Sequence, residues 1–293
     1  MYGVARRKWK DHMKTNVAII IIGLIILDIV AWGTMLFGSQ GKQSELFFFD
    51  VGQGDSEMVV MPGDVKLLID GGPNNGKAVG QLERALPWHD RYIDMVMLSH
   101  AELDHFGGLL DVLQRYEVGA FIYNGNGSDS ESFKELAKVV RERNIPVIIM
   151  GKGDRIVYAS STIDMVSGGG AFKKDNKNES ALVARFVGGG MSALFAGDIG
   201  KDTEAQLVRG GDMHADILKI AHHGSKYSST EEFLKAVRPT IAIIEVGKNS
   251  YGHPTKDALE RIKRTGARLF RTDTNGMIRL TVENGTIKQR KEK

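Results

Sequence analysis

The 293-residue chain contains no cysteine. That absence excludes disulfides, iron-sulfur clusters, thiolate zinc sites and cysteine nucleophiles together. It leaves both sides of a membrane open as a working compartment. Net charge is nearly absent too. Residues 1–16 hold Arg6, Arg7, Lys8, Lys10 and Lys14 against Asp11 alone, and residues 17–37 add one acid, Asp28. Of the 39 basic and 36 acidic residues, 34 of each therefore lie beyond residue 37. A neutral main domain lacks the overall basic character of a strong nucleic-acid binder, so any groove for a polyanion must be local. There is no convincing internal repeat, and only one apolar run is long enough to span a bilayer. The length accommodates one large or two small domains with a sizeable core.

The apolar run is Val17 to Phe37, 21 residues without a basic side chain. It can cross the hydrocarbon core as a helix, and its basic flank should stay in the cytoplasm with the main domain outside. A cleaved signal peptide is the alternative. No small-x-small cleavage site stands out and the run exceeds a usual signal core, so an uncleaved single-pass anchor is expected. Asp28, costly in lipid, reads as a tolerated single acid or a contact for a protein partner. The expected organisation is a basic cytoplasmic segment (1–16), an anchor (17–37), a linker (38–45), one main domain (46–284) and a charged tail (285–293).

Strand and helix signals alternate after the linker. Strands are expected at Leu46 to Asp50, Glu57 to Met61, Val65 to Ile69, Ile93 to Leu98 and Phe121 to Tyr123, with helices at Asp104 to Arg115 and Ser132 to Arg143. A second series places strands at Ser161 to Met165, Ala181 to Val187, Ser192 to Ala196, Asp216 to Ile220 and Ile241 to Val246. Its helices lie near Lys201 to Arg209, Thr230 to Val237 and Lys256 to Thr265. Two sheet-forming halves point to one α/β sandwich domain with helices outside. Gly188 to Gly190 and Lys173 to Lys177 read as hairpin and loop punctuation.

Chemistry concentrates at strand ends. Leu98 to Gly108 reads Leu-Ser-His-Ala-Glu-Leu-Asp-His-Phe-Gly-Gly and packs His100, Glu102, Asp104 and His105 into six positions. Imidazole suits zinc or manganese and carboxylate suits harder ions, so the mixed set can serve two cations. The bland alternative is a solvated loop with a helix cap at Asp104. Three further strands run into acid-bearing turns: Phe49-Asp50-Val51-Gly52-Gln53-Gly54-Asp55-Ser56, Ile69-Asp70-Gly71-Gly72 and Phe195-Ala196-Gly197-Asp198. An acid leaving a buried strand can bridge cations without moving, although any one such Asp is as readily a turn former. Lys219 to Ser225 carries His222 and His223, and Ser250 to Pro254 carries His253. Five of the eight histidines thus fall in three loops. Asn178-Glu179-Ser180 and Arg271-Thr272-Asp273 are positioned to touch substrate or to make turns.

As an ordered set these segments resemble the metallo-β-lactamase superfamily, and within it the C-terminal hydrolase domain of the competence DNA-uptake proteins of the ComEC/Rec2 type. The resemblance runs from about Leu46 to Val282 and implies an αββα sandwich with the site along one edge of the two sheets. Glu102 stands where the superfamily loop normally has His, and Asn178, Glu179 and Ser180 stand where many relatives supply another. One metal position is accordingly expected to be weak, hard-ion selective or completed by substrate. Competence proteins of this type also carry a large polytopic channel. A chain with one span cannot form such a pore alone, so it either works with a separate channel subunit or is a surface hydrolase outside uptake.

The resemblance implies metal-assisted hydrolysis of a phosphodiester with two divalent ions, manganese or zinc. His100 and Glu102 would hold one ion, Asp104 and His105 the other, Asp198 would bridge, and His253 would be a distal ligand. His222 and His223 stay open between ligand and proton donor, with Asp104 as a catalytic candidate. Asn178, Ser180, Lys219, Ser225, Lys226 and Arg271 are the expected substrate contacts. Three substrate readings remain: a nuclease acting on DNA or RNA outside the cell, an esterase acting on an envelope phosphodiester of teichoic acid or phosphorylcholine type, and a non-catalytic docking module.

Overall fold

The computed structural model describes residues 20–33, 44–169 and 177–290. Residues 20–33 are helical and exposed, and form part of a separate unit from the main domain. Residues 17–19 and 34–37 of the expected anchor lie outside the described residues. Among the described residues, no helix is long and apolar enough to cross a membrane.

Among the described residues, the main domain holds fifteen strands, β1 (Glu45–Phe48), β2 (Glu57–Met61), β3 (Val65–Ile69), β4 (Tyr92–Met97), β5 (Glu117–Tyr123), β6 (Val147–Ile149), β7 (Arg155–Tyr158), β8 (Ser161–Ser167), β9 (Val183–Gly188), β10 (Met191–Phe195), β11 (Ile217–Lys219), β12 (Ile241–Ile244), β13 (Arg268–Arg271), β14 (Ile278–Glu283) and β15 (Thr286–Arg290). They form two sheets of order β15-β14-β1-β2-β3-β4-β5-β6 and β13-β12-β11-β10-β9-β8-β7. Pairing is parallel from β3 to β6 and from β10 to β13, and antiparallel elsewhere.

The period-2 alternation of strands decides the layers. In β1, Leu46 and Phe48 point into the space between the sheets while Phe47 points away, and all three are buried. Phe48 stacks on Phe195 of β10 with centroids 5.9 Å apart, joining the two sheets. Each such side chain contributes about 1.5–3 kcal/mol by leaving water. The outer face of the first sheet is covered by the helices Lys77–Ala85, Leu109–Arg115 and Glu131–Glu142, through Leu82, Val112, Leu113, Leu136 and Val140. The outer face of the second is covered by Lys201–Gly210, Glu231–Val237 and Lys256–Arg264, through Leu207, Phe233, Leu234 and Ile262. The expected αββα sandwich is therefore what forms.

Some boundaries differ from the sequence reading. The helix expected over Asp104 to Arg115 is broken into Leu103–Phe106 and Leu109–Arg115. At the break a side chain on Gly108 would meet the Gly71 carbonyl oxygen at 2.0 Å, so the two ligand-bearing turns can approach only through glycine. Within the tail expected at 285–293, Thr286–Arg290 is instead the edge strand β15, paired with β14 from Glu283↔Thr286 to Arg279↔Arg290. Its alternating charges hid it, because an edge strand with one wet face needs little apolar content. The helix Lys77–Ala85 and strands β6, β7, β13 and β14 were likewise not expected.

Candidate metal centre

Parallel strands deliver their chemistry at their carboxyl ends, and here several do so at one edge. Asp70 follows β3, the His100–His105 loop follows β4, Asp198 follows β10, His222 and His223 follow β11, and Glu245 follows β12. The Gly52–Asp55 turn between β1 and β2 closes beneath them. Gly54 has φ +149°, and a Cβ there would lie 2.2 Å from the Asp104 carbonyl oxygen; that same oxygen accepts the Asp55 amide at 3.2 Å. Glycine is what lets this turn pack against the histidine loop.

Asp104, His105, Asp198 and His223 converge, each offering a ligand atom within 4.8 Å of the others. Asp198 Oδ2 lies 3.5 Å from both His105 Nε2 and His223 Nε2, and Asp104 Oδ2 lies 3.5 Å from His223 Nε2. His222 Nε2 is 3.7 Å from the same Asp198 oxygen. His100 is buried with its ring 4.1 Å from that of His105, and Glu102 Oε2 lies 3.8 Å from His100 Nε2. Nε2 of His100, His105 and His223, and Oδ1 of Asp198, are buried without a hydrogen-bond partner among the described residues. Orphaned polar atoms cost about 1–3 kcal/mol each. Imidazole and carboxylate atoms left open at one point fit a divalent ion.

The far side of each imidazole is fixed. His105 Nδ1 lies 2.7 Å from Asp70 Oδ2, and Asp70 also accepts the Ser99 amide at 2.8 Å. His223 Nδ1 contacts the Glu245 carbonyl oxygen at 2.8 Å and Asp55 Oδ1 at 3.2 Å. With Nδ1 occupied, Nε2 is the atom presented, the usual means of setting a ligand's tautomer. Burial opposes charge on both rings, but Asp198 and then Asp55 outweigh it, raising His105 well above its ordinary value and His223 to about 10. Burial lowers His222.

Beneath this cluster lies a second group of acids. Asp55, Glu57 and Glu245 are fully buried and close together, and the Lys219 ammonium sits against Asp55 while donating to the Gly197 carbonyl at 3.1 Å. Burial pushes the Asp55 carboxyl up, but Lys219 and then His223 hold it below the usual range. Burial and the Asp55 charge push Glu57 up to about 8, and burial with Glu57 raises Glu245 well above its ordinary value.

The expected ligands therefore divide. Asp104, His105 and Asp198 lie together, and His223 joins them. His253, expected as the distal ligand, instead stands on the wall of a cleft of about 440 Å³ beside His222, their rings 5.6 Å apart. Gln53, Glu102, Asp104, Asp198, His222 and His223 line the same cleft.

The expected substrate contacts fare differently. Lys219 is a correction: it is completely buried and ion-paired, so it cannot meet a phosphate. Ser225 is buried, its amide donating to the His222 carbonyl at 2.9 Å. Arg271 is paired with Asp273, Nη2 to Oδ2 at 2.6 Å, and Lys226 lies exposed 4.9 Å from the Tyr227 ring centre. Asn178 and Ser180 lie on a 3-10 turn, where the Ser180 hydroxyl donates to the Lys177 carbonyl at 2.8 Å. Glu179 accepts the Thr203 amide at 2.9 Å. None of these residues is among those lining the cleft. Asp55 and Asp70 lie in two of the acid-bearing strand-end turns that the sequence shows, without an assigned role there, and Glu245 has none either. Glu245 had a signal, a carboxylate within an apolar strand run.

The two-sheet sandwich thus gathers imidazole and carboxylate side chains at one edge of its sheets, a donor set that suits a divalent ion. Residues 50–247 match the metallo-beta-lactamase superfamily, and the chain belongs to it. It is 30% identical over 261 residues to ComE operon protein 3 of Bacillus subtilis, covering 83% of this chain and 34% of that protein. It is 29% identical over 255 residues to competence protein ComA of Neisseria gonorrhoeae, covering 84% and 33%. The chain thus spans about a third of the length of these curated relatives. Its fold is similar to that of Igni18, a metallo hydrolase from Ignicoccus hospitalis, with TM-score 0.56 and 16% identity over 82% of this chain and 100% of that one.

Proposed function

We propose that this protein is a metal-dependent phosphodiesterase, a nuclease that cuts DNA outside the cytoplasm in a competence-related role. The observation that carries the reading is the convergence of Asp104, His105, Asp198 and His223 with their ligand atoms open, on a chain related to two competence proteins. Asp104, His105, Asp198 and His223 would hold one ion, and His100 with Glu102 a second. A bound divalent ion supplies Lewis-acid polarisation of the phosphoryl oxygen and activation of water. The chain's own contribution is position and proton transfer. Asp70 and Asp55 would fix the imidazoles, and His222, partly exposed in the cleft and 3.7 Å from Asp198, would in its imidazolium form give a proton to the leaving oxygen.

Val17 to Phe37 would anchor the domain on the outer face of the membrane, with DNA as partner and a separate channel subunit supplying passage. The neutral domain favours a second reading, an esterase for a small envelope phosphodiester. Purified protein reconstituted separately with manganese and zinc, and assayed on single-stranded DNA, duplex DNA and a simple phosphodiester, separates the two. DNA cleavage with manganese at least as effective as zinc is expected, because Glu102 replaces imidazole by oxygen. Turnover of the simple diester alone would favour the esterase, and no turnover with either ion would overturn both readings.

A further inference from the structure

Tyr251 is one of the most exposed aromatic side chains of the main domain, at 73%. It is nonetheless held in a defined place. Asn249 clasps the loop, its Oδ1 accepting the amides of Tyr251 at 3.1 Å and His253 at 3.0 Å and its Nδ2 donating to the carbonyls of Gly247 at 2.9 Å and His253 at 2.8 Å. The ring lies 6.0 Å from that of His253 and lines the same cleft as Asp104, Asp198 and His223. Leu103, 52% exposed, lines it too. Among the described residues, no Lys or Arg lines it.

We propose that Tyr251 stacks on a nucleobase beside the scissile phosphodiester and so makes unpaired, single-stranded nucleic acid the preferred substrate. The inference rests on the phosphodiesterase reading and adds to it the form of the substrate. A wet aromatic face next to ligand atoms is poorly explained by folding, since exposure forfeits its burial. It is well explained by a planar ligand group. With no ammonium or guanidinium group among the described residues lining it, the cleft itself offers little counterion release to a backbone; stacking then supplies affinity, and stacking tolerates any base sequence. Bases within a duplex are stacked on one another and reach a side chain only if flipped out, which costs binding.

The test uses the full-length protein with two single-stranded probes: an oligothymidylate, and an abasic oligomer of the same length and backbone. With manganese, the parent should prefer oligothymidylate by about tenfold in kcat/KM, chiefly through KM. Tyr251→Ala should collapse that preference, and Tyr251→Phe should keep it. Trp88→Ala is the control. Trp88 is 84% exposed but precedes β4, at the opposite end of that strand from the histidine loop, and its removal should leave the preference intact. Binding is read independently of turnover by quenching of 2-aminopurine in a single-stranded oligomer with calcium present; Tyr251→Ala should abolish the quenching. Quenching by a parent protein that cuts no DNA would overturn the phosphodiesterase reading while upholding the stacking. Cleavage in which Tyr251→Ala retains the parent's preference, or a parent that shows no preference, would overturn the stacking. A parent that neither quenches nor cuts overturns both.

Discussion

Among the described residues, a cluster of two histidines and two aspartates lies beside a cluster of three buried acids, and the two differ in how their charge is balanced. Asp104, Asp198 and His223 line the cleft with His105 buried behind them, and several of their ligand atoms have no hydrogen-bond partner among the described residues. Asp55, Glu57 and Glu245 are just as close to one another, yet Lys219 already sits against Asp55 and both glutamates are pushed toward the protonated form. Proximity of carboxylates is common to both. What separates them is where the compensating charge comes from: an internal ammonium below, an exchangeable cation above. Asp55 belongs to both groups, since it touches Lys219 on one side and His223 on the other. The lower layer is therefore a buried floor, balanced by its own ammonium, against which the upper one packs.

The sharpest way to break this comparison is Asp198→Ala. Its carboxylate reaches His105, His222 and His223, and it lies at a strand end rather than between the sheets. Metal content should fall and hydrolysis should drop on the order of a thousandfold or more, since Lewis-acid assistance is worth several kcal/mol, while circular dichroism stays that of the parent. Parent-level metal and activity in the variant would remove Asp198 from the centre.

Lys219→Met addresses the floor. Deleting one partner of a buried pair leaves an uncompensated charge and costs about 3–5 kcal/mol. Denaturant unfolding should show that loss at neutral pH, and Lys219→Met combined with Asp55→Asn should recover part of it. Equal stability of parent and single variant would mean that Asp55 does not need the ammonium.

A smaller effect is expected where the two groups meet their supports. Asp70→Asn keeps the shape of the contact to His105 Nδ1 but removes its charge. Such outer partners typically change metal affinity by about 10–100-fold. Titration with manganese should show a loss in that range with little change in thermal stability. An unchanged dissociation constant would make Asp70 only a turn residue, the role its positive φ of 55° also allows.

Much of this was legible in the chain because the chemistry sits in short contiguous segments. The two-sheet architecture followed from alternating apolar strands, and the histidine loop from six consecutive positions after β4. What escaped was set by distance along the chain. Glu245 lies 189 residues from Ser56, whose amide it accepts, and Lys219 lies 164 residues from Asp55, so neither pairing leaves a local pattern. Lys219 next to a His-His pair reads as a phosphate contact until burial is known. His223 and His253 both follow strands, and only the fold distinguishes the ring that reaches Asp198 from the one on the cleft wall. Edge strands such as β15 carry too few apolar residues to announce themselves.

The upper group also differs from the lower in its protons. Without an ion, His223 keeps its proton up to about 10 and His105 is also raised, because Asp198 and then Asp55 outweigh burial. A ligating imidazole must be neutral, so binding an ion displaces these protons. Apparent affinity should then rise between pH 6 and 8 by about tenfold per pH unit for each proton released. Stability runs the other way for the ion-free protein. A histidine whose folded value is raised contributes stability fully below its unfolded value of 6.5 and loses it as pH climbs toward 10. Ion-free protein should therefore weaken with rising pH over the range in which ion-bound protein tightens. Calorimetric titration at pH 7 in two buffers of different ionisation enthalpy measures the protons directly, and thermal melts with and without manganese at pH 6 and 8 give the opposing slopes. A buffer-independent heat with parallel slopes would show that the imidazoles are already neutral, and that Asp198 is balanced from below by Lys219 instead.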